Sequence, residues 1–470
     1  VIMEKSTNRP PSLPVIKIPF ITTSLITDII LYFTLIPIWV VLGIAQFLGP
    51  VLMIFLFLKL LLLHSREKRP LKVPYILTSA FVLLMLSMLL SGLHILEPYW
   101  TLVFLRNLIL YLSAFCLLLI VYNTCRTRKD LSRLITGLTI LSFIASLLGL
   151  LVITGIIPLR VIGTTPISGI LPHDIAQSEF LEKALHPDFG DYRRVLGWKM
   201  KRLSSIFISP NSLAAVLIML LPLQLFLWGH ATKRQRLLLM AAIPLGIICL
   251  FFTYSRGAAV SVPLGFLFFL YLKFRIRQAR RQQITVMITT GVLLFAILGL
   301  LISGSRFVTD IKPQSDTTRM LIIRKSIESL RSSPVFGWGT QRNMEVIALD
   351  PEIKPLGSHS NYLAYLYRYG LVGFSIFIFI YAFVFIHIIR LSGRSSPSRY
   401  YADLGLFAGW AFVNNITQSL VTVMDFDVSL LLMIWMIWGL VITADSIVNK
   451  EITENPVAFP ASSRPGKEIS

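Results

Sequence analysis

Acidic residues are scarce in this chain: 23 Asp and Glu stand against 44 Lys and Arg in 470 residues, which leaves a net charge of +21. Charged residues of both signs together make up only 14%, whereas 55% are hydrophobic, a balance outside that of soluble domains. Cysteine is nearly missing. Cys116, Cys125 and Cys249 are far apart and sit in or beside apolar runs, so they offer neither a metal-ligand spacing nor an exported disulfide. There is no Gly-rich phosphate loop and no HExxH, so the usual handles of nucleotide and zinc chemistry are absent. Residues 1–19 are polar and proline-containing and lead straight into a long apolar run, which does not read as a cleavable signal peptide.

What the chain has instead is membrane-length hydrophobicity. A hydrocarbon core of about 30 Å takes roughly 20 apolar residues per helix, and runs of that length recur about twelve times. They are Phe20–Gly43, Phe47–Leu63, Pro74–Gly92, Trp100–Asn123, Leu131–Gly155, Pro210–Trp228, Leu237–Thr253, Gly257–Lys273, Ile284–Ser303, Asn361–Ile389, Ala402–Val421 and Val428–Ala444. Pro37, Gly43, Gly49 and Pro50 interrupt the first two, leaving a tight re-entrant hairpin as the alternative to two crossings.

Basic residues supply an independent test of the count, because Lys and Arg of short loops are retained on the cytoplasmic side. They alternate from loop to loop: Arg66, Lys68, Arg69 and Lys72, then Arg126, Arg128, Lys129 and Arg133, then Lys233, Arg234 and Arg236, then Lys273 to Arg281, then Arg390, Arg394 and Arg399. The opposite connections "GIAQFLG", "LHILEPYW" and "VMDFD" carry no Lys or Arg. The expected molecule is therefore an all-α polytopic membrane protein with both termini cytoplasmic, its positive charge set by topology rather than by nucleic acid.

On that frame two long connections face outward, Ile156–Ser209 and Gly304–Ser360, and both are basic. Long loops translocate regardless of charge, so a solvated surface accounts for most of it. The stretch "DTTRMLIIRKSIESLRSSP", Asp316 to Pro334, is more specific: Met320, Ile323, Ile327 and Leu330 recur at helical spacing. An amphipathic helix lying on the outer interface is expected there, with cations toward lipid phosphates. In "FFTYSRGAAV", Arg256 falls at an outer turn between two spans with almost no loop to solvate it. A charge so placed is a functional candidate, with snorkelling to headgroups as the plain alternative. Arg106 and Arg368, nearer span interiors, read as charge-paired structural residues.

Four stretches occur in a telling order: "RLSSIFISPNSLAA" from Arg202, "TYSRGA" from Thr253, "TTRMLIIRKSIESLRSSPVFGWG" from Thr317 and "HSNYLAYLYRYGLVG" from His359. Together they resemble the O-antigen ligase and polymerase superfamily, most strongly from Arg202 to Gly373. The last resembles the ligase pattern of His, then Asn, Ser or Gln, nine residues, Gly, two residues and Gly, Thr or Tyr; here His359, Ser360, Gly370 and Gly373 fill it.

The resemblance implies a GT-C-type membrane glycosyltransferase that takes a glycan from an undecaprenyl diphosphate carrier, with no cofactor and no metal. It implies Arg256 and Arg319 as ligands of the lipid diphosphate and His359 as the catalytic histidine, with inversion at the anomeric carbon. Arg202, just before a span, is a further phosphate contact on this view, and Asn211 a polar contact in the cavity. A planar, permanently charged guanidinium suits a departing diphosphate. A neutral imidazole suits the proton of a sugar hydroxyl, and a serine cap at Ser358 or Ser360 would put His359 at a positive helix end, disfavouring imidazolium. Asn361 completes the cap sequence. Gly370 and Gly373 are expected to serve close helix packing, and Tyr362, Tyr365 and Tyr369, on one helical face, to anchor at the interface.

The acceptor separates the readings: lipid A-core sugar for a ligase, another carrier-linked repeat for a polymerase, a side-chain hydroxyl for a protein O-oligosaccharyltransferase. The filled histidine pattern favours the ligase; RX10G, described for polymerases in their outer loops, is not found in those loops here, and the matches beginning at Arg126 and Arg280 fall on the cytoplasmic side. A lipid-linked glycan transporter or flippase is the reading of another class, though such proteins carry paired repeats and midplane charges that are not evident here. The chain then divides into a cytoplasmic tail 1–19, an N-terminal bundle 20–155, an outer loop 156–209, central helices 210–303, an outer catalytic loop 304–360, C-terminal helices 361–446 and a cytoplasmic tail 447–470.

Overall fold

A computed structural model describes residues 24–93, 95, 98–159, 165–170, 185–195, 198–276, 313–340, 360–393, 399–424 and 427–454. The described chain is an all-α bundle with one small hairpin. Its elements are α1 (Leu25–Thr34), α2 (Ile36–Leu42), α3 (Ala45–Arg66), α4 (Tyr75–Gly92), α5 (Pro98–Thr124), α6 (Arg128–Thr154), β1 (Gly190–Val195) and β2 (Trp198–Leu203). They continue with α7 (Pro210–His230), α8 (Lys233–Phe252), α9 (Arg256–Ile276), α10 (Pro313–Leu330), α11 (Asn361–Ser392), α12 (Arg399–Ser419) and α13 (Val428–Glu454).

Nine of the described helices are long and apolar enough to cross a membrane, and the bent pair α1 and α2 passes the same test only when taken together, as a broken span or a re-entrant loop. The first expected span is thus broken, by 54°, where Pro37 enters α2 and cannot continue the hydrogen-bond ladder of α1. Gly43, at φ +79°, ends α2. Gly49 and Pro50 do not end anything: both lie inside α3, where Gly49 leaves room for Tyr32 of α1 and for Val428 and Leu432 of α13. The expected span Ile284–Ser303 lies outside the described residues.

The span expected at Ala402–Val421 exists as α12, but it is too polar to pass as a lipid-facing helix. It is buried among α7, α9 and α11, and its polar side chains find partners there. Asn414 donates to the Ile218 carbonyl at 2.6 Å, and Tyr381 donates to Asn415 at 3.2 Å. Interhelical bonds of this kind suit a helix with no lipid face.

Side-chain contacts sort the helix ends into two groups. At one end lie Asn123 with Lys72, His230 with Asp403, Tyr400 with Arg128 and His387 with Asp445. That is the end where the basic loops gather. At the other lie Arg202 with Thr253, Gln418 with Ser255, Asn361 with Met424 and Asp427 with Ile208. The alternation expected from the charges is consistent with this sorting.

Candidate active site

The second end of the bundle is where several helices begin. Ser209 caps α7 by accepting from Ser212 N, and Ser360 caps α11 by accepting from Leu363 N. Ser255 precedes α9, and its hydroxyl accepts from Ala258 N at 3.4 Å. Helix N-termini carry a positive field and unpaired N–H groups, so three of them opening at one end favour an anion.

Arg256 is the first residue of α9, half-buried, in the positive field of that helix. It leaves a tight turn in which Tyr254 takes φ +47°, an uncommon backbone for a bulky residue. That turn is held from two sides. The Arg202 Nε donates to the Thr253 carbonyl at 3.0 Å, and Gln418 of α12 donates to the Ser255 hydroxyl at 3.4 Å. Gly257 has no room for a side chain, because Val421 and Gln418 fill the space a Cβ would take.

Arg202 sits at the end of β2 and is well engaged. Besides Thr253 it donates to Asn211 Oδ1 at 3.1 Å and faces Asp191 at 4.0 Å. Its neighbour Lys201 donates to the carbonyls of Val152 and Ile153, at the C-terminus of α6. Two successive cations thus cap two helix C-termini, where carbonyls are unpaired. The strands that deliver them pair Gly190 with Leu203 through Val195 with Trp198. This hairpin was not anticipated in the first outer loop; the sequence signal is a two-residue Leu-Gly connection between two short polar strands.

His359 lies outside the described residues, and it is the residue before the Ser360 cap. Asn361, only 3% exposed, accepts from Met424 N at 3.2 Å, and Tyr362 donates to the Ile416 carbonyl. The start of α11 is therefore tied to the same 416–424 stretch that carries Gln418. Ser255, which precedes Arg256, and the start of α11 thus both contact the end of α12 and the stretch just after it.

Gly370 has a different role from the helix packing expected of it. It interrupts α11 at φ 64° and ψ −166°, a conformation essentially confined to glycine. The peptide groups freed by the break pair with the segment after α10: Trp338 N and Gly339 N donate to the Tyr367 and Arg368 carbonyls, and Leu371 N and Val372 N donate to the Pro334 and Val335 carbonyls. A Cβ on Gly370 would strike the Val335 carbonyl. Gly373 does serve close packing, against Ser87 of α4. The tyrosines also depart from expectation. Tyr365 and Tyr369 are 2% and 0% exposed, so they fill the core rather than anchor at an interface.

Through this break α10 is joined to α11. Arg319 belongs to α10; its side chain lies outside the described residues. Ile322 of α10 packs with Tyr367 and Trp338, and the Trp338 indole donates to the Ser329 carbonyl at 2.7 Å. The opposite stripe, Met320, Ile323 and Ile327, is exposed, as expected for a helix lying on an apolar surface.

Arg106 donates to the Asn107 side chain at 3.1 Å. Asp427 belongs to an Asp-x-Asp sequence, Asp425 to Asp427, which elsewhere can bind metal. Here its carboxylate turns inward, accepting from Ile208, Ser429 and Leu430 N–H groups. Among the described residues no group of three or more His, Cys, Asp or Glu is placed to hold a metal ion. Residues 241–378 match the family model described as O-antigen ligase. No curated protein matches the chain.

Proposed function

We propose, from the match of residues 241–378 to the O-antigen ligase family model, that this membrane protein transfers a glycan from undecaprenyl diphosphate to a lipid A-core sugar hydroxyl at the outer face of the inner membrane. The observation that carries this reading is that Ser255, directly before Arg256 at the start of α9, and Asn361, at the capped start of α11, are both held by the end of α12 and the stretch after it, through Gln418 and Met424. A diphosphate bound at Arg256 then lies beside the helix that His359 precedes.

In the reaction the acceptor oxygen forms a bond to the anomeric carbon as the bond to the diphosphate oxygen breaks. The leaving group departs with that electron pair, and the acceptor proton passes to His359. Negative charge grows on the diphosphate through the transition state, so fixed guanidiniums and helix N-termini stabilise the transition state more than the ground state. Arg256 is the first of these groups and Arg319 on α10 the second. Arg202 acts mainly through the turn it holds, fixing where Arg256 starts. His359 works as a neutral base, and the N-terminal field of α11 opposes its protonation. Attack opposite the leaving group inverts the anomeric centre, and no metal is invoked in any step.

The test is reconstitution in liposomes with a defined undecaprenyl-diphosphate glycan and separate acceptors, following both release of carrier diphosphate and the product. The expected product is glycosylated lipid A-core. Elongated carrier-linked glycan would make the protein a polymerase, and carrier movement without transfer a transporter. His359→Ala should insert and fold normally but lose roughly 10²-fold or more in transfer, the usual worth of a general base; a fully active variant refutes the assignment.

A further inference from the structure

Beside the turn that bears Arg256 lies a second recess, a cleft of about 340 Å³ between the hairpin, the segment Ser204–Pro210 and the break that ends the first span. Its volume is within the range of small-ligand pockets. Asp188, Asp191, His186 and Arg202 line its hairpin side, and Gln46 and Phe207 its inner side. Each wall is anchored. Gln46 accepts from Val428 N at the start of α13, Ser204 donates to the Asp188 carbonyl, and Ser205 donates to the Ala145 carbonyl in α6.

The lining shares Arg202 and the capped start of α7 with the anion end described above, and adds two carboxylates to them. Two carboxylates against one guanidinium repel a diphosphate, and their side chains are not grouped for a metal ion. A lipid chain would leave the carboxylates desolvated and unpaired. What fits is a compact solute with many hydroxyl donors: carboxylates and an amide that accept from it, a guanidinium that donates to its oxygens, and apolar faces at Phe207 and Pro187 for its C–H surface.

We propose that this cleft is a sugar-ring subsite that holds one glycosyl unit next to the reacting bond. It rests on the glycosyl-transfer reading given above. Arg202 is the shared wall: its Nε holds the Thr253 turn while NH1 faces Asp191 within the cleft. The ring is supplied either by the acceptor's core oligosaccharide or by the donor's glycan, and both present the same hydroxyl chemistry.

The test uses the full chain in nanodiscs or liposomes, with Asp188→Ala to remove a carboxylate and Asp188→Trp to fill the cleft; Asp188 is exposed, so both should fold. With lipid A-core and an undecaprenyl-diphosphate oligosaccharide as the two substrates, one KM should rise about tenfold or more, as expected for a lost hydrogen bond to a charged group. A rise for the acceptor assigns the ring to the core; a rise for the donor assigns it to the glycan. Inhibition by free undecaprenyl diphosphate, which has no sugar, should not change. Unchanged KM values for both substrates in Asp188→Trp would overturn the subsite. Saturation-transfer NMR with the free core oligosaccharide and with the free donor oligosaccharide needs no turnover: signal lost in Asp188→Trp supports the subsite even if transfer is never seen, and signal equal to that of the unaltered protein overturns it.

Discussion

The rings of Tyr365 and Phe377 stack with centroids 3.7 Å apart, although twelve residues separate them on one helix. In an unbroken helix that separation is about 18 Å along the axis. The contact exists because α11 folds back at Gly370, placing a short first segment, Asn361 to Tyr369, against the membrane-length second one. The tyrosines of the first segment thereby become core, and the Pro334–Gly339 stretch fills the gap in the ladder.

Gly370→Ala is the first consequence to test. The backbone conformation alone disfavours any side chain by about 1–3 kcal/mol, and the clash with the Val335 carbonyl adds to it. The variant should show a lower melting temperature in detergent and lose activity, whereas Gly373→Ala, which meets side chains rather than backbone from α4 and its own helix, should be milder. Equal thermal stability of Gly370→Ala and the unaltered protein would contradict the break.

Arg256→Lys keeps the charge but gives up the planar fork. If the guanidinium grips diphosphate bidentately, transfer should fall by roughly one to two orders of magnitude in kcat, with a further fall in Arg256→Ala. Kinetics at saturating donor decide this: a lysine variant as fast as arginine would mean that the residue only snorkels to headgroups.

The buried Lys59 pairs with the partly buried Asp28 at 2.7 Å, their side chains 4% and 17% exposed. Breaking such a pair costs about 3–5 kcal/mol, while replacing both members by apolar residues is often neutral. Lys59→Met should therefore destabilise the detergent-solubilised protein strongly, and Lys59→Met with Asp28→Leu should recover most of the loss. A thermal-unfolding double-mutant cycle with no coupling would show that α1 and α3 do not depend on this pair.

The three cysteines should be inert. Cys116, Cys125 and Cys249 are 5%, 3% and 0% exposed, and burial pushes the Cys125 thiol up to about 12. At neutral pH it is therefore protonated and hidden. A membrane-permeant maleimide should label the native protein negligibly and the denatured protein at three sites; rapid native labelling at pH 7.5 would show that these helices open.

Much of this architecture was legible because lipid imposes a length and a charge asymmetry that a sequence cannot hide. The starts at Pro210, Asn361 and Val428 match those read from the apolar runs. Three features were not legible for identifiable reasons. Gly370 in an apolar run reads equally well as a packing glycine, because its partner Val335 is remote in sequence. The hairpin at Gly190–Leu203 is too short and too basic to show a buried alternation. The inward turn of Asp427 depends on Ile208, more than two hundred residues earlier. Near the candidate site, the cramped turn before Arg256 was legible, but the contacts of Gln418 with Ser255 and of Met424 with Asn361 were not.

Lys201 and Arg202 are neighbours on a strand, so they leave it on opposite faces. One reaches the end of α6 and the other the end of α8, which makes the hairpin a wedge whose register gauges the gap between two helices. Inserting a single residue into β2 ahead of them would turn each cation toward the wrong helix and loosen both ends at once, without altering one residue of the bundle itself.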